Sequence, residues 1–340
     1  MSAAAQTILA IETSCDDTCA AVVTGDGEIR ANVISSQGVH DRYGGVVPEV
    51  ASRHHLELAT PVVDDALAQA GASLDDVDLV AVTAGPGLVG ALLVGVATAK
   101  GIAASRGLPL AAVDHLQGHV AANFLRTDDG VGGEPLEPPF LCLIASGGHT
   151  FLARVDDHDG FTVLGQTLDD AAGEAIDKGA RLLGLPFPGG PHLERLAAEG
   201  DPEAYAFPTS RNLTGLDFSF AGLKTALLYK VRDLGEEEAQ ARRADLAAAY
   251  QHAIVEQLAQ RVERALRDTG LQRLAIGGGV AANGPLRERL TRLAPTVKIP
   301  PRALCTDNAA MIASAARYVE PVPFPEYLGL EVHATGQRAL

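Results

Sequence analysis

The chain has 340 residues, which is enough for about two domains of ordinary size. Its composition, with 47% hydrophobic residues, 4% aromatic residues and 36 glycines, is typical of an α/β protein with many tight turns. The net charge of −16 argues against a surface that binds nucleic acid or an anionic membrane over its whole area. The four cysteines form no CxxC pair, so we expect reduced thiols and neither a zinc knuckle nor a disulfide framework.

The first predicted elements are two strands on either side of a polar turn. The stretch "TILAIETSCDDTCAAVVTGDGEI" (7–29) predicts a strand, the turn, a second strand and a Gly-Asp-Gly turn. Glu12, Asp16 and Asp17 lie at this polar turn. Carboxylates on turns are often simply solvated, but at the end of a buried strand they are candidates for chemistry. The residues before this stretch lack a basic n-region, so we predict no signal peptide and a cytoplasmic protein.

The next segments predict a functional loop and a buried strand–helix pair. Residues 35–55 mix Gly, His, Tyr, Glu and Arg without a clean period, which favours a loop leading into a helix over 55–71. The uncharged run from Leu79 to Ala99 has the length of a membrane span. A Gly-Pro-Gly turn at 85–87 interrupts it, so we predict a strand, then a core helix over 88–105, and no contact with a membrane.

Two histidines four residues apart stand in "VDHLQGHVAA" (113–122). Spacing alone favours an ordinary helix with two partly exposed histidines. The same spacing can place His115 and His119 on one metal ion, provided that another ligand comes from elsewhere. Asp307 in "CTDNAAMIA" (305–313) is a possible third ligand, although Asp307 or Asn308 is also a natural helix N-cap. A zinc peptidase of the HExxH type needs a Glu after the first His, and Leu116 stands there.

A second copy of the first pattern begins roughly 130 residues later. The stretch "PFLCLIASGGHTFLARVDDHDG" (139–160) again predicts a strand, a Ser/Gly/Thr turn, a strand and an acidic Gly turn. Near the C-terminal end, "RLAIGGGVAANGPLRERL" (273–290) predicts a strand, a glycine turn and a helix. Glycine turns at strand ends can present backbone N–H groups to phosphates, so these turns favour a nucleotide site.

Further helices are predicted over 169–184, 190–199 and 241–268. The first helix carries Asp177, and a "PGGP" turn (188–191) follows it. Its charged residues at i+3 and i+4 spacings fit a solvated face equally well. A carboxylate beside a glycine turn nevertheless suits a ribose or amino-acid hydroxyl.

The duplicated pattern predicts an α/β protein of the actin-like (ASKHA) type, with two lobes and a nucleotide or metal cleft between them. This step is a fold analogy and says little about chemistry by itself. The Gly-, Pro- and acid-rich segment 126–139 is the best linker. We therefore expect one lobe from 1–125 plus about 308–340 and the other from 126–307.

Ten motifs resemble, in the family's order, the bacterial tRNA threonylcarbamoyladenosine transferase (TsaD/Gcp) family, formerly labelled an O-sialoglycoprotein endopeptidase. The resemblance covers roughly residues 8–320. Each motif is weak alone, but ten in order are specific. They are "IETSCDDT", "YGGVVPEVASR", "TAGPGLVGALLVG", "HLQGH", "IASGGHT", "DDAAGEAIDK", "LGLPFPGGP", "DFSFAGLKTA", "GGGVAAN" and "CTDNAAMIA".

The resemblance implies transfer of a threonylcarbamoyl group from threonylcarbamoyl-AMP, the substrate, to N6 of adenosine 37 in tRNAs that read ANN codons. It implies one divalent metal ion per subunit, Fe²⁺ first and Zn²⁺ second, held by His115, His119 and Asp307. It also implies a shorter two-lobed homologous partner (TsaB-like) and a small P-loop ATPase (TsaE-like). Asp16 and Glu12 are the candidate catalytic residues. The implied substrate-binding residues are Ile144, Ala145, Ser146, Gly147, Gly148, Asp177, Gly190 and Asn283.

Four positions depart from the family's pattern without removing a mapped ligand. Asp17 stands where Glu is common, so its carboxylate reaches about one carbon less far. The other three departures are Asp114 in place of a frequent His, Ile176 in place of an aromatic residue and Ala221 in place of a Ser. For an acidic chain that handles tRNA, either its partners or a local basic patch must contact phosphates. The candidates for that patch are Arg53, Lys178, Arg181, Arg242 and Arg243.

Three alternatives stay open at this point. A metallopeptidase would cleave a glycoprotein, and an actin-fold sugar kinase would turn over ATP and would not need the histidine pair. A non-catalytic paralogue of the same fold would be a binding module, but such paralogues usually lack the three metal ligands.

Overall fold

The computed structural model describes residues 6–43, 45–126, 134–209 and 213–334. Part of the predicted linker, 127–133, lies outside the described residues. The strands are β1 (Thr7–Glu12), β2 (Asp17–Thr24), β3 (Ile29–Ser36), β4 (Leu79–Gly85), β5 (Leu110–Asp114), β6 (Phe140–Ala145), β7 (Thr150–Val155), β8 (Thr162–Gln166), β9 (Arg273–Gly277) and β10 (Thr296–Lys298). The helices are α1 (Pro48–Ala70), α2 (Val89–Arg106), α3 (His115–Ala121), α4 (Ala172–Leu182), α5 (Gly189–Ala197), α6 (Ala221–Ala241), α7 (Arg243–Thr269), α8 (Gly284–Thr291) and α9 (Ala309–Ala316).

The chain forms two compact units. Unit 1 comprises Met1–Glu137, Asp157–Gly160 and Thr306–Leu340, and unit 2 comprises Pro138–Asp156 and Phe161–Cys305. The C-terminal return of the chain places Asp307 and α9 in unit 1.

Unit 1 is built on a five-stranded sheet with the order β3-β2-β1-β4-β5. β1, β2 and β3 form an antiparallel meander, whereas β4 and β5 run parallel to β1. Every residue of β4 is buried, as expected for a central strand covered on both faces. Because β1, β4 and β5 are parallel neighbours, their carboxyl ends meet at one edge, where β5 leads directly into α3.

The helices of unit 1 cover this sheet. α1 begins at Pro48, seven residues before the predicted start, because proline at N1 fixes a helical φ and needs no hydrogen-bond partner. The predicted loop at 35–55 was therefore too long. α9 is buried along its whole length and packs on α3, β1 and β2.

α2 is the helix predicted after the Gly-Pro-Gly turn. Within the described residues it is the one helix long and apolar enough to cross a membrane by length and composition. A core helix of a globular protein meets the same criterion, and α2 packs against β4 and α1. The arrangement agrees with the predicted strand–helix pair.

Unit 2 repeats the plan of unit 1. Its sheet has the order β10-β9-β6-β7-β8, with β6, β7 and β8 as the antiparallel meander and β9 parallel to β6. β10 then pairs parallel with β9, as β5 does with β4. The internal duplication inferred from the two similar turns is confirmed.

The core of unit 2 lies between its sheet and the long helix α7, sixteen of whose residues are buried. The predicted helices at 169–184, 190–199 and 241–268 correspond to α4, α5 and α7. The helix α6 was missed, because Gly222 and Gly235 weaken its pattern and Gly235, at φ 75°, kinks it.

Candidate functional site

Two buried histidines lie at the carboxyl edge of the unit 1 sheet. His115 is 5% exposed and His119 is 1% exposed, which does not fit a helix face with partly exposed histidines. Their rings pack edge to face with centroids 4.7 Å apart. Asp114 fixes the start of α3, because its carboxylate accepts hydrogen bonds from the N–H groups of Leu116 (2.8 Å) and Gln117 (3.0 Å).

Asp307 lies beside both imidazoles. Its Oδ1 is 3.5 Å from Nε2 of His115 and 3.3 Å from Nε2 of His119. The N-cap of α9 is Asn308, whose side chain accepts from Met311 N at 3.0 Å, so the alternative role of Asp307 as a cap does not apply. One ligand atom from each of the three side chains lies within 4.8 Å of the others.

The donor set fits a divalent cation. Both ring nitrogens of His119 are buried and have no hydrogen-bond partner, which is costly unless a further group binds there. Two imidazoles and a carboxylate are ligands that zinc, iron and manganese accept, and such a site leaves positions open for other oxygens. The three side chains could therefore hold a metal ion.

Electrostatics tie His115 to two carboxylates. Burial alone lowers the pKa of His115, but Asp307 and Glu12 outweigh it and raise the pKa to about 9. Burial pushes the pKa of Glu12 upward, yet His115 lowers it below the usual range. At neutral pH this places an imidazolium between two carboxylates, and a metal ion would have to displace one of its protons.

Glu12 is enclosed in the protein. It is 0% exposed and ends β1. One carboxylate oxygen accepts from the N–H of Ser14, and the other accepts from the hydroxyl of Thr83 and from Nδ1 of His115, which is 3.1 Å away. Although we predicted a catalytic role for Glu12, its carboxylate has no exposed surface that a substrate could touch.

Asp17 has an unusually high pKa for an aspartate, although the sequence made its catalytic role less certain than that of Asp16. Burial, together with the charges of Asp307, Asp16 and Glu12, raises the pKa of Asp17 to about 7, and only a hydrogen bond with Ser36 opposes the shift. A carboxyl group with a pKa near neutrality can accept a proton at physiological pH. The sequence could not show this, because the shift comes first from burial and then in part from the charge of Asp307, which is far away along the chain.

The predicted substrate-binding turn of unit 2 follows β6. Ile144 and Ala145 are fully buried in the strand, so only their backbones can face a ligand. The turn is closed by the N–H of Ser146, which donates to the carbonyl of His149 at 2.7 Å. At Gly147 and Gly148 an added Cβ would meet no atom within 4 Å, so the backbone there is open to a ligand.

A second glycine turn adjoins the first one. β6 and β9 are parallel, with Ile144 opposite Gly277, so the two turns leave the same edge of the sheet. Gly278 has φ 85°, and a Cβ there would lie 2.4 Å from the carbonyl oxygen of Ala145. Only glycine allows this approach. Ligands of α/β sheets bind at this kind of carboxyl edge.

Asp177 and Asn283 anchor loops of unit 2. Oδ1 of Asp177 accepts from Gly189 N at 2.7 Å, and burial raises the pKa of this carboxyl group. At Gly190, by contrast, an added Cβ would come no closer than 3.8 Å to another atom. The side chain of Asn283 caps α8 and donates to Glu194 (3.1 Å) and Gln251 (3.0 Å). Sequence reasoning missed these last two partners, which lie in helices without a motif.

Comparison with known proteins decides the family. The profile of the tRNA N6-adenosine threonylcarbamoyltransferase family (TsaD) matches residues 28–314. The chain belongs to this family. Curated family members from Clostridium botulinum (strain 657) and Clostridium perfringens (strain SM101) are each 49% identical to it over 317 residues, covering 92% of both chains. The resemblance inferred from the ten ordered motifs is confirmed.

Solved structures of other proteins share the fold of this TsaD-family chain. Component A of (R)-2-hydroxyglutaryl-CoA dehydratase from Acidaminococcus fermentans is 16% identical, with a TM-score of 0.55 over 92% of this chain and 97% of that one. Full-length HypF is 14% identical, with a TM-score of 0.59 over 92% of this chain and 46% of HypF. These likenesses concern the fold alone, and they confirm the predicted actin-like duplicated α/β fold.

Most cations that the sequence offered for phosphate binding have acidic neighbours in the structure. Arg53 pairs with Glu49, Arg242 pairs with Glu238, and Lys178 contacts two carboxylates. The guanidinium of Arg243 donates to the carbonyl of Leu183 at 2.6 Å. Arg53, Lys178 and Arg242 are therefore poor sources of uncompensated positive charge, whereas the contact of Arg243 is to a neutral carbonyl group.

Gly118, between the two histidines, controls how closely α3 approaches α9. A Cβ at Gly118 would lie 2.7 Å from Cδ1 of Ile312, the flexible end of a side chain. We expect Gly118→Ala to lower the free energy of unfolding by about 1–3 kcal/mol and to weaken metal binding, because the Ile312 and Met311 side chains of α9 must repack around the added methyl group. Urea unfolding and zinc titration measure both effects.

The matched control for this substitution is Gly101→Ala in α2, where an added Cβ meets no atom within 4 Å. It should stabilise the helix by up to about 1 kcal/mol and leave metal binding unchanged. Wild-type zinc affinity in Gly118→Ala would contradict the assignment of Gly118 to the α3–α9 contact.

Asp17 predicts a pH-dependent stability of the ligand-free protein. Its folded pKa of about 7 lies above the ordinary aspartate value of 3.8, so the folded state binds more protons in that interval and stability falls as pH rises through it. Asp17→Asn should raise stability by on the order of 2 kcal/mol at pH 8 and much less at pH 4. Thermal melts at both pH values test this.

Asp26→Asn provides a control of opposite sign. A hydrogen bond from Thr24 and the charge of Arg126 lower the pKa of Asp26, so this variant should lose stability at neutral pH. An Asp17→Asn difference that stays constant from pH 4 to pH 8 would refute the raised pKa.

Proposed function

We propose that the chain transfers the threonylcarbamoyl group of threonylcarbamoyl-AMP to N6 of adenosine 37 in tRNAs that read ANN codons, with release of AMP. The observation that carries the proposal is the convergence of His115, His119 and Asp307 in a member of this family. The name of the curated relatives, at 49% identity over 92% of the chain, supports the same reaction.

His115 and His119, through Nε2, and the carboxylate of Asp307 would hold the metal, for which we propose Fe²⁺ with Zn²⁺ as the alternative. When bound, the ion supplies Lewis-acid activation of phosphate and carbamoyl oxygens. In unit 2, the open backbone at Gly147 and Gly148 would donate N–H groups to the adenylate, while the loops anchored by Asp177 and Asn283 would hold its remaining parts. Ile144, Ala145, Ser146 and Gly190 contribute the backbone of these turns.

The reaction forms one bond and breaks one. N6 of adenosine attacks the carbamoyl carbon, the bond from that carbon to the phosphate oxygen breaks, and AMP leaves with the electron pair. The proton lost from N6 needs an acceptor, for which we propose the Asp16–Asp17 pair. Asp17 is favoured over Asp16, because its pKa of about 7 suits a base that is regenerated at neutral pH.

The decisive assay follows labelled threonine into unmodified tRNA, with bicarbonate, ATP, the threonylcarbamoyl-AMP synthase and the partner subunits, with and without this chain. Label in tRNA only when the chain is present supports the proposal. Its absence from tRNA, or cleavage of a glycoprotein by the chain alone, would overturn it. A peptidase would need a base near the histidines, and the HExxH position holds Leu116.

His115→Ala should lower metal content and transfer together, because one of three ligands is lost. His54→Ala, at a histidine half-exposed on α1, is the matched control and should change neither quantity. Metal analysis and the transfer assay on the same samples provide the comparison. A metal-depleted variant with wild-type turnover would remove the ion from the mechanism.

The outer face of α6 is the surface we propose for tRNA phosphates. Among the described residues, Lys224 and Arg232 of α6 form no ion pair, and Tyr229, one helical turn before Arg232, is 56% exposed and available for stacking. Cations interleaved with an aromatic ring are typical of nucleic-acid contacts. This local surface would let an acidic chain contribute to tRNA binding.

Replacing Lys224 and Arg232 by Ala should weaken tRNA binding by the assembled complex roughly tenfold, and each lost contact should reduce the salt slope by about 1. Arg53→Ala, which removes a paired cation, is the control and should have little effect. Filter-binding titrations over a salt series give both numbers. An unchanged slope in the double variant would exclude α6 as a phosphate contact.

We further propose that the chain works in the cytoplasm with a shorter two-lobed homologue and a small P-loop ATPase. Leu56, Val89 and Leu93 are large hydrophobic residues exposed on α1 and α2, and they offer an apolar face to such a partner.

A further inference from the structure

Three parallel strands deliver three interacting side chains to one edge of the unit 1 sheet. Glu12 ends β1, Thr83 lies near the end of β4, and His115 follows β5 as the first residue of α3. β4 pairs with both β1 and β5, so Thr83 lies between the other two residues. The contact between Glu12 and His115 is therefore set by rigid elements rather than by loops.

The chemistry of this contact determines which nitrogen of His115 is free. An ionised carboxylate only accepts hydrogen bonds, so Nδ1 of His115, 3.1 Å from the Glu12 carboxylate, must carry the proton. The hydroxyl of Ser14, 3.1 Å from the same nitrogen, can accept a second branch of that bond. When a metal ion displaces one proton of the imidazolium, Nδ1 keeps its proton and Nε2, which faces Asp307 at 3.5 Å, is the nitrogen that becomes free to bind the ion.

We infer that Glu12 is a positioning residue that fixes the tautomer and ring orientation of His115 for metal binding. Glu12 reaches no substrate, because it has no exposed surface. A carboxylate that accepts from the second nitrogen of a metal-binding histidine orients the ring and makes it a better ligand. The inference rests on the metal centre of the proposed function, but it requires no step of the transfer reaction.

The variant that isolates this role is Glu12→Gln. The amide keeps the size of the side chain but has one acceptor where the carboxylate has two. It cannot accept from both Ser14 N–H and His115 Nδ1–H in the present geometry, and its NH₂ group would favour the opposite tautomer of His115. Glu12→Asp keeps the charge but withdraws it by one carbon, and should recover part of the loss.

Thr13→Val is the matched control. Thr13 is the neighbour of Glu12, it is equally buried, and its hydroxyl donates to the carbonyl of Ala91 at 2.9 Å without touching the histidines. This variant loses a buried hydrogen bond of similar structural importance. A general loss of packing would therefore weaken metal binding in both variants.

The experiment titrates the full-length, metal-free chain with Zn²⁺ against a competing chelator and records imidazole ¹⁵N shifts of histidine-labelled protein. We expect Glu12→Gln to raise the zinc Kd by roughly tenfold to a hundredfold and to shift His115 towards the Nε2–H tautomer, with Thr13→Val close to wild type. A Kd within twofold of wild type, or an equal loss in Thr13→Val, would overturn the inference. Failure of wild-type protein to modify tRNA would instead overturn the proposed function and leave the zinc comparison standing.

Discussion

The parallel alignment of β1, β4 and β5 is the constraint on which the centre in unit 1 depends. Their common carboxyl edge brings Glu12 next to His115, although the two residues are 103 positions apart in the chain. The short helix α3 then places His119 one turn further along, and Asp114 secures its first turn. The register of the sheet therefore fixes the positions of these side chains.

Unit 2 uses the same sheet plan for a different purpose. The edge formed by β6 and β9 carries two glycine turns and no histidine pair, so it offers backbone N–H groups where unit 1 offers imidazoles and carboxylates. Gly278 shows how tight this arrangement is, because its Cβ-free backbone contacts the carbonyl of Ala145. The duplicated fold thus has two equivalent sheet edges, one in each unit, and the two edges differ in the chemical groups that they carry.

The sequence indicated most of the fold and the histidine pair that could hold a metal ion, because both leave local signals. Strand–turn–strand repeats, glycine turns and the His-x-x-x-His spacing can be recognised within a few residues. The role of Glu12 and the ionisation of Asp17 could not be predicted, since both depend on partners that only folding brings close. Arg53 is a different case, because its partner Glu49 lies only four residues earlier, and the pair became evident once α1 was found to begin at Pro48. Asn308 is an intermediate case, because either it or Asp307 could have capped α9 and only the geometry chose between them.

Several carboxylates and one imidazolium interact at the edge of the unit 1 sheet. Glu12, Asp16, Asp17 and Asp307 interact with one another, and the raised pKa of Asp17 shows that ionising every carboxylate there is unfavourable. His115 compensates in part by holding a proton up to a pH of about 9. One proton offsets only part of the charge of several carboxylates, and neither ring nitrogen of His119 has a hydrogen-bond partner. A divalent cation held by the three side chains would bond to His119 and replace one proton of His115, so its binding would also stabilise the fold.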